Sequence, residues 1–330
     1  FIVMLFVLIG VLVVIKSVFK MKYNANNYYM NIVSDKLIDA KKEILSNLNG
    51  TTYYVASKGT SYYGTDIDDP MSLDIAQTKV YYGNDKILFK SGDVFYGAVD
   101  FETDTDENTY VYIGSYGDDE KPVISGAKIL NNYQAWDYED GLYVLDLSND
   151  DNFYGMKSIK NQPYNIGFFT GENGKIYGNR KKQKVDLINE FDFYCNGTKI
   201  YVKCSDNPSR KLGSIKFVSR NNLFSISSNM IIDNLNIQYT GAHGIARKVK
   251  DIKNVYISNC IISEIGGSVQ DNKSFTRYGN GIEFYESSEN TLTENCIIRN
   301  VYDAGYTIQA RNVKNGFYNN ICRNNIFVNC

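Results

Sequence analysis

Apolar positions fall into three textures along this chain. Residues 1–15, "FIVMLFVLIGVLVVI", are apolar without a break up to Lys16. Residues 34–50, "SDKLIDAKKEILSNLNG", set Leu37, Ile38, Ile44, Leu45 and Leu48 on one helical face, with Ser34 suited to cap the start and Gly50 the end. From Thr51 the runs shorten to strand length and are divided by Gly, Asn and Asp: "TTYYVAS", "KILFK", "TYVYIGSY", "PVISGAKI", "GLYVLDL", "KIYVK" and "SIKFV". One short helix is expected among them, at "DPMSLDIAQTKV".

The first texture points to a membrane. A span needs roughly 20 apolar residues and a secretory signal core roughly 7–15. The run here opens without Met and is expected to be longer upstream, and "KSVFKMKYN" follows it in place of a small-residue cleavage site. Residues 1–22 therefore read as an uncleaved signal-anchor, with a cleaved signal peptide as the alternative. Residues 23–50 read as a helical stalk or linker. Residues 51–330 read as an extracytoplasmic body, on the cell surface or, second, secreted.

The last third repeats. "NMIIDNLNIQ", "NVYISNCIIS", "NTLTENCIIR" and "NICRNNIFVN" align with Asn234, Asn259, Asn295 and Asn324 in register, at spacings of 25, 36 and 29 residues. Behind each Asn the apolar residues alternate, ending at Ile237, Ile262, Ile298 and Phe327. A period in this range with strand texture and no helical pattern is that of a β-solenoid, in which equal positions stack into ladders. The repeated Asn is expected to be a structural turn ladder. The repeat is still running at Cys330, so further coils are expected beyond it.

Composition agrees with many strands and tight turns: 28 tyrosines and only four prolines in 330 residues. A formal charge of −2 gives no pull toward nucleic acid. A monomeric body is expected. The six cysteines form no CxxC, and with a single histidine a zinc site has no basis. Cys195 and Cys204 flank "NGTKIYVK", which leaves a hairpin disulfide open as an alternative to free buried thiols. The acidic runs at 66–69, 104–107 and 118–120 read as solvated turns, and calcium has no motif behind it.

The repeat resembles that of right-handed parallel β-helix proteins of the pectate-lyase-like superfamily. "YYVASKGT", "GNDKILFKSGDVFYG" and "YIGSYGDDEKPVISGA" are similar to the opening coils of secreted members, and "FYCNGTKIYVKCSDNP" resembles an excursion common in them. The resemblance covers roughly 51–330, with an excursion at about 130–215. It implies an all-β, right-handed parallel β-helix with a polysaccharide as its ligand. It leaves the reaction open, because the superfamily includes lyases, hydrolases, epimerases and non-catalytic surface proteins.

Candidate chemistry sits on three glycine-marked strands, "HGIARK", "NGIEFY" and "AGYTIQ". Stacking Gly244, Gly281 and Gly305 sets Ala246, Glu283 and Thr307 in one ladder and Lys248, Tyr285 and Gln309 in another, alternating with Ile245, Ile282 and Tyr306. The middle coil is longer by an excursion near 267–277 that exits through Arg277, Tyr278 and Asn280. The catalytic candidates are His243, Glu283, Asp303 and Arg277. Tyr278, Asn280, Lys248, Tyr285, Tyr306 and Gln309 are the candidate substrate contacts. His243 is the only histidine, and its flanking glycines are expected to leave it open to substrate.

Three functions follow. A lyase acting on a uronate-containing glycan needs a base, for which His243 serves, a donor set such as Arg277 and Asn280 at the sugar carboxylate, and a proton donor such as Tyr278. A glycoside hydrolase needs two carboxyl groups. Glu283 and Asp303 lie four columns apart, over ~13 Å on a flat sheet, so only a bend before Gly305 brings them together. The sequence leans to the lyase, with the hydrolase next and a non-catalytic glycan-binding surface protein as the third.

Overall fold

The computed structural model describes residues 2–130, 136–147, 165–196, 198–271, 274–311 and 316–330. The chain forms two units, 1–47 and 48–330. The first is one helix, Ile2–Ser46, running without a break through Ser34, so Ser34 does not cap the start of a separate helix as expected. Residues 23–33 have no Pro or Gly to interrupt it. Among the described residues no helix is long and apolar enough to cross a membrane. The side chains of 1–14, which make up most of the expected anchor, lie outside the described residues.

The second unit is a right-handed parallel β-helix. Its first sheet stacks seven strands: Thr52–Val55, Lys86–Lys90, Val111–Tyr116, Met230–Asp233, Ile252–Ser258, Ser288–Glu294 and Phe317–Arg323. Six more strands, from Val94–Tyr96 to Ile326–Val328, form the second sheet. The third face begins with Val80–Tyr82 paired to Glu102–Asp104. It continues through a Val99–Phe224 bridge into Phe224–Ile226, Ile245–Arg247, Ile282–Tyr285 and Tyr306–Gln309. All pairs within these three faces are parallel, with no slip of register between Ile245, Ile282 and Tyr306. The expected short helix is Leu73–Ala76, capped by the Ser72 hydroxyl. Inward residues of the three sheets, such as Ile87, Ile113, Ile232, Ile257, Phe284 and Ile298, fill one interior.

Asn234, Asn259, Asn295 and Asn324 all take left-handed backbone at the corner between the first two sheets, a conformation Asn tolerates better than most residues. The side-chain ladder, however, belongs to a different set. Asn254 donates to Asn229 at 2.8 Å, Asn290 to Asn254 at 3.2 Å and Asn319 to Asn290 at 3.0 Å. These residues repeat at the same spacings, at the corner that opens the first sheet.

The excursion expected at 130–215 is a mainly antiparallel unit inserted after Ser125, built from strands between Ala127 and Ser219, with a core of its own around Trp136, Phe169, Phe193 and Phe217. Cys195 and Cys204 are buried, free thiols. Cys195 faces Ile200 across its hairpin, which puts Cys204 about four residues, ~13 Å, farther along and out of disulfide reach.

Candidate active site

The third face reaches the surface as the floor of a cleft of about 900 Å³. The cleft is walled in part by a hairpin, Ser268–Asp271 with Thr276–Tyr278, and by Arg220 and Asn222 just past the inserted unit. The hairpin is tied to the inserted unit by Asn165, whose side chain donates to Val269 O at 2.6 Å and accepts from Val269 N at 2.8 Å. Ser268 adds a bond to Asn165 O.

The glycine ladder is present, for a different reason from the one expected. A Cβ on Gly244 would lie 2.6 Å from Gly281 O, and one on Gly281 would lie 2.5 Å from Gly305 O. The coils therefore approach backbone to backbone just before the third face turns, and only glycine fits there. The glycines do not open His243, which is 9% exposed. Gly281→Ala is expected to cost about 1–3 kcal/mol by forcing these coils apart. Urea unfolding checks it, and an unchanged midpoint would contradict the close approach.

His243 and Glu283 face one another, Nε2 to Oε2 at 3.1 Å, each side chain about one tenth exposed. The His243 Nδ1 accepts the Asn280 backbone N–H at 3.0 Å. That bond needs an unprotonated Nδ1, so the proton of the neutral ring is on Nε2 and is donated to Glu283. Burial holds the His243 pKa below its usual value, while Glu283 and Asp303 pull it upward. Both ring nitrogens are thus committed, which corrects the expectation that His243 is a free base. The histidine positions Glu283.

Glu283 receives two further bonds on Oε1, from Asn280 Nδ2 at 3.2 Å and Gln309 Nε2 at 2.7 Å. Every bond it makes is one that it accepts, an arrangement suited to a nucleophile or a base. Asn280 also accepts the Ala304 N–H at 3.1 Å, linking the two coils at the bend. At that bend Asp303 donates its backbone N–H to Gly279 O at 3.2 Å, and the residue lines the same cleft as Glu283.

The other expected residues divide. Tyr278 packs edge to face on His243, ring centroids 5.1 Å apart, and burial raises its phenol pKa. Tyr285 lines the cleft beneath the Arg247 guanidinium, 5.1 Å from its ring centre. Lys248 also lines it, with its charge met by Glu102 at 2.7 Å and Asp100 at 3.2 Å. Two expectations fail. Arg277 touches the cleft wall, but its guanidinium donates to Gly267 O and Gly167 O and covers the Tyr302 ring at 4.4 Å. It fastens the hairpin to the inserted unit. Tyr306 follows the inward column of Ile245 and Ile282 and packs against the interior near Phe284.

Arg220 was not expected. It donates from Nε to the Tyr278 hydroxyl at 2.8 Å and lines the cleft. It stands just past the last inserted strand, Ile215–Ser219, where no repeat marks it. Among the described residues, no group of three or more His, Cys, Asp or Glu is gathered closely enough to hold a metal.

No family model and no curated protein sequence matches this chain. Solved structures to which this chain is similar include XylC in complex with xylose, at 12% identity and a TM-score of 0.49 over 84% of this chain and 63% of that one. A GH136 lacto-N-biosidase from Eubacterium ramulus is similar at 15% identity and a TM-score of 0.40 over 82% and 36%. Pectate lyase Pel9A is similar at 12% identity and a TM-score of 0.36 over 78% and 50%. The chain spans less than two thirds of the length of each.

Proposed function

We propose that this cleft is the active site of a carbohydrate-active enzyme that hydrolyses a glycosidic bond in a polysaccharide. The observation that carries the reading is Glu283, fixed by three donors from three different strands or bends and facing the same cleft as Asp303. A glycosidase needs two carboxyl groups at one bond, one as acid and the other as nucleophile or base. Glu283 is assigned the second role and Asp303 the first. The apolar run at 1–15 supports an enzyme held outside the cytoplasm.

Elimination on a uronate is the second reading, favoured by one contact. Arg220 on the Tyr278 hydroxyl joins a cation to a phenol in the cleft, the pairing that stabilises a sugar carboxylate and moves a proton. The test incubates the full chain in detergent with acidic and neutral polysaccharides, following reducing ends and absorbance near 235 nm together. New ends without absorbance support hydrolysis. New ends with absorbance overturn it in favour of the lyase, and binding without new ends overturns both in favour of a glycan-binding surface protein.

A further inference from the structure

Beside the first strand of the same face, on the first coil, lies an aromatic group that the proposed reaction does not use. Tyr62 and Tyr63 are 66% and 71% exposed and meet edge to face at 5.4 Å. Lys79 Nζ stands 4.4 Å over the Tyr62 ring. Three residues on, Tyr82 is 57% exposed at the end of Val80–Tyr82. Side chains of this size contribute most when covered, yet these three are held uncovered in fixed places. Tyr62 and Tyr63 are held by each other and Lys79, and Tyr82 by its pairing with Asp104.

The strand of Tyr82 opens the face that carries Glu283 four coils later. Between them Lys248 on the fourth coil reaches back to Glu102 on the second, so charged side chains span the intervening coil. Four coils at about 4.8 Å and four residue columns at about 3.3 Å set Tyr82 roughly 23 Å from Glu283, a span bridged only by a chain of several sugar units. Charged neighbours, Lys79 and Asp104, interrupt the aromatic surface. It therefore lacks the continuous apolar patch that a protein partner would need. A pyranose ring has what it matches: an apolar C–H face for the ring and edge hydroxyls for Lys, Asp and the phenols.

We propose that Tyr62, Tyr63 and Tyr82 form a second saccharide-binding platform that holds the distal part of the polysaccharide lying over Glu283. The identity of the ligand rests on the reading of the cleft; the binding itself does not. The test is affinity electrophoresis of the full chain carrying Glu283→Gln, in detergent, through native gels cast with xylan, galactan or polygalacturonate. At least one polymer is expected to retard it. Adding Tyr62→Ala, Tyr63→Ala and Tyr82→Ala raises the dissociation constant for that polymer roughly fivefold or more, while the corresponding Phe changes keep most of the retardation. Equal thermal midpoints show that both triple variants are folded. Equal retardation of the Ala variant, or no retardation of the parent by any of the three, overturns the platform. If the wild-type chain hydrolyses a polymer but the Ala variant is retarded like its parent, the platform falls and the cleft reading stands. If Glu283→Gln keeps full turnover while the Ala variant loses retardation, the cleft reading falls and the platform stands.

Discussion

Glu283→Gln is expected to lower kcat on the polysaccharide substrate by about 10³-fold, close to 4 kcal/mol of transition-state stabilisation. The amide has the shape of the carboxylate but neither its charge nor its capacity to accept three bonds. Its oxygen can still accept from Asn280 and Gln309, but its NH2 then meets the Nε2–H of His243. That conflict adds a stability cost of about 1–3 kcal/mol. Turnover should therefore be compared well below the lowered melting midpoint. Asp303→Asn is expected to lower kcat on a similar scale without this loss of stability, because no described bond ends on the Asp303 carboxyl. A kcat for Glu283→Gln within tenfold of wild type would remove the carboxylate from the chemistry.

The second large effect is on stability in acid. His243 is neutral in the folded chain because a protonated Nδ1 would put its N–H against the N–H of Asn280, and burial lowers its pKa. A folded pKa below the unfolded value of about 6.5 means that the unfolded chain binds the proton first. The stability contributed by His243 is therefore complete above that pH and is lost as the pH falls through the lowered folded pKa. His243→Gln is expected to remove this limb, because Gln can accept from Asn280 or donate to Glu283 but has no proton to gain. His243→Ala leaves the Asn280 backbone N–H and the Glu283 Oε2 without their partner and costs about 1–3 kcal/mol at neutral pH. Thermal midpoints of wild type and His243→Gln between pH 5 and 8 check the sign. A gap that widens in favour of wild type as the pH falls would contradict the geometry around Nδ1.

The sequence made the coils legible because a parallel stack repeats its requirements. Inward columns such as Ile245–Ile282, the close-approach glycines and the left-handed Asn corners recur at the same offsets, so alignment alone sets Glu283 beside Ala246 and Thr307. What the repeat does not encode was missed or misread. Arg220 lies at the exit of the inserted unit, and the bonds of Arg277 end on carbonyls of that unit and its own hairpin. Neither contact has a counterpart on another coil. The state of His243 depends on a single backbone N–H one coil away, a contact set by the Gly244–Gly281 approach and not by any side-chain motif. Tyr306 shows the opposite error. Its column already pointed inward, and its phenol made it look like a sugar contact.

The most direct test of the account is to run the reaction in ¹⁸O-water and weigh the new reducing ends by mass spectrometry. Hydrolysis in the Glu283–Asp303 cleft predicts one ¹⁸O per cleaved bond, with incorporation lost in Glu283→Gln. Cleaved chains that carry no label and absorb near 235 nm would contradict it, because the bond would then have broken by elimination without water.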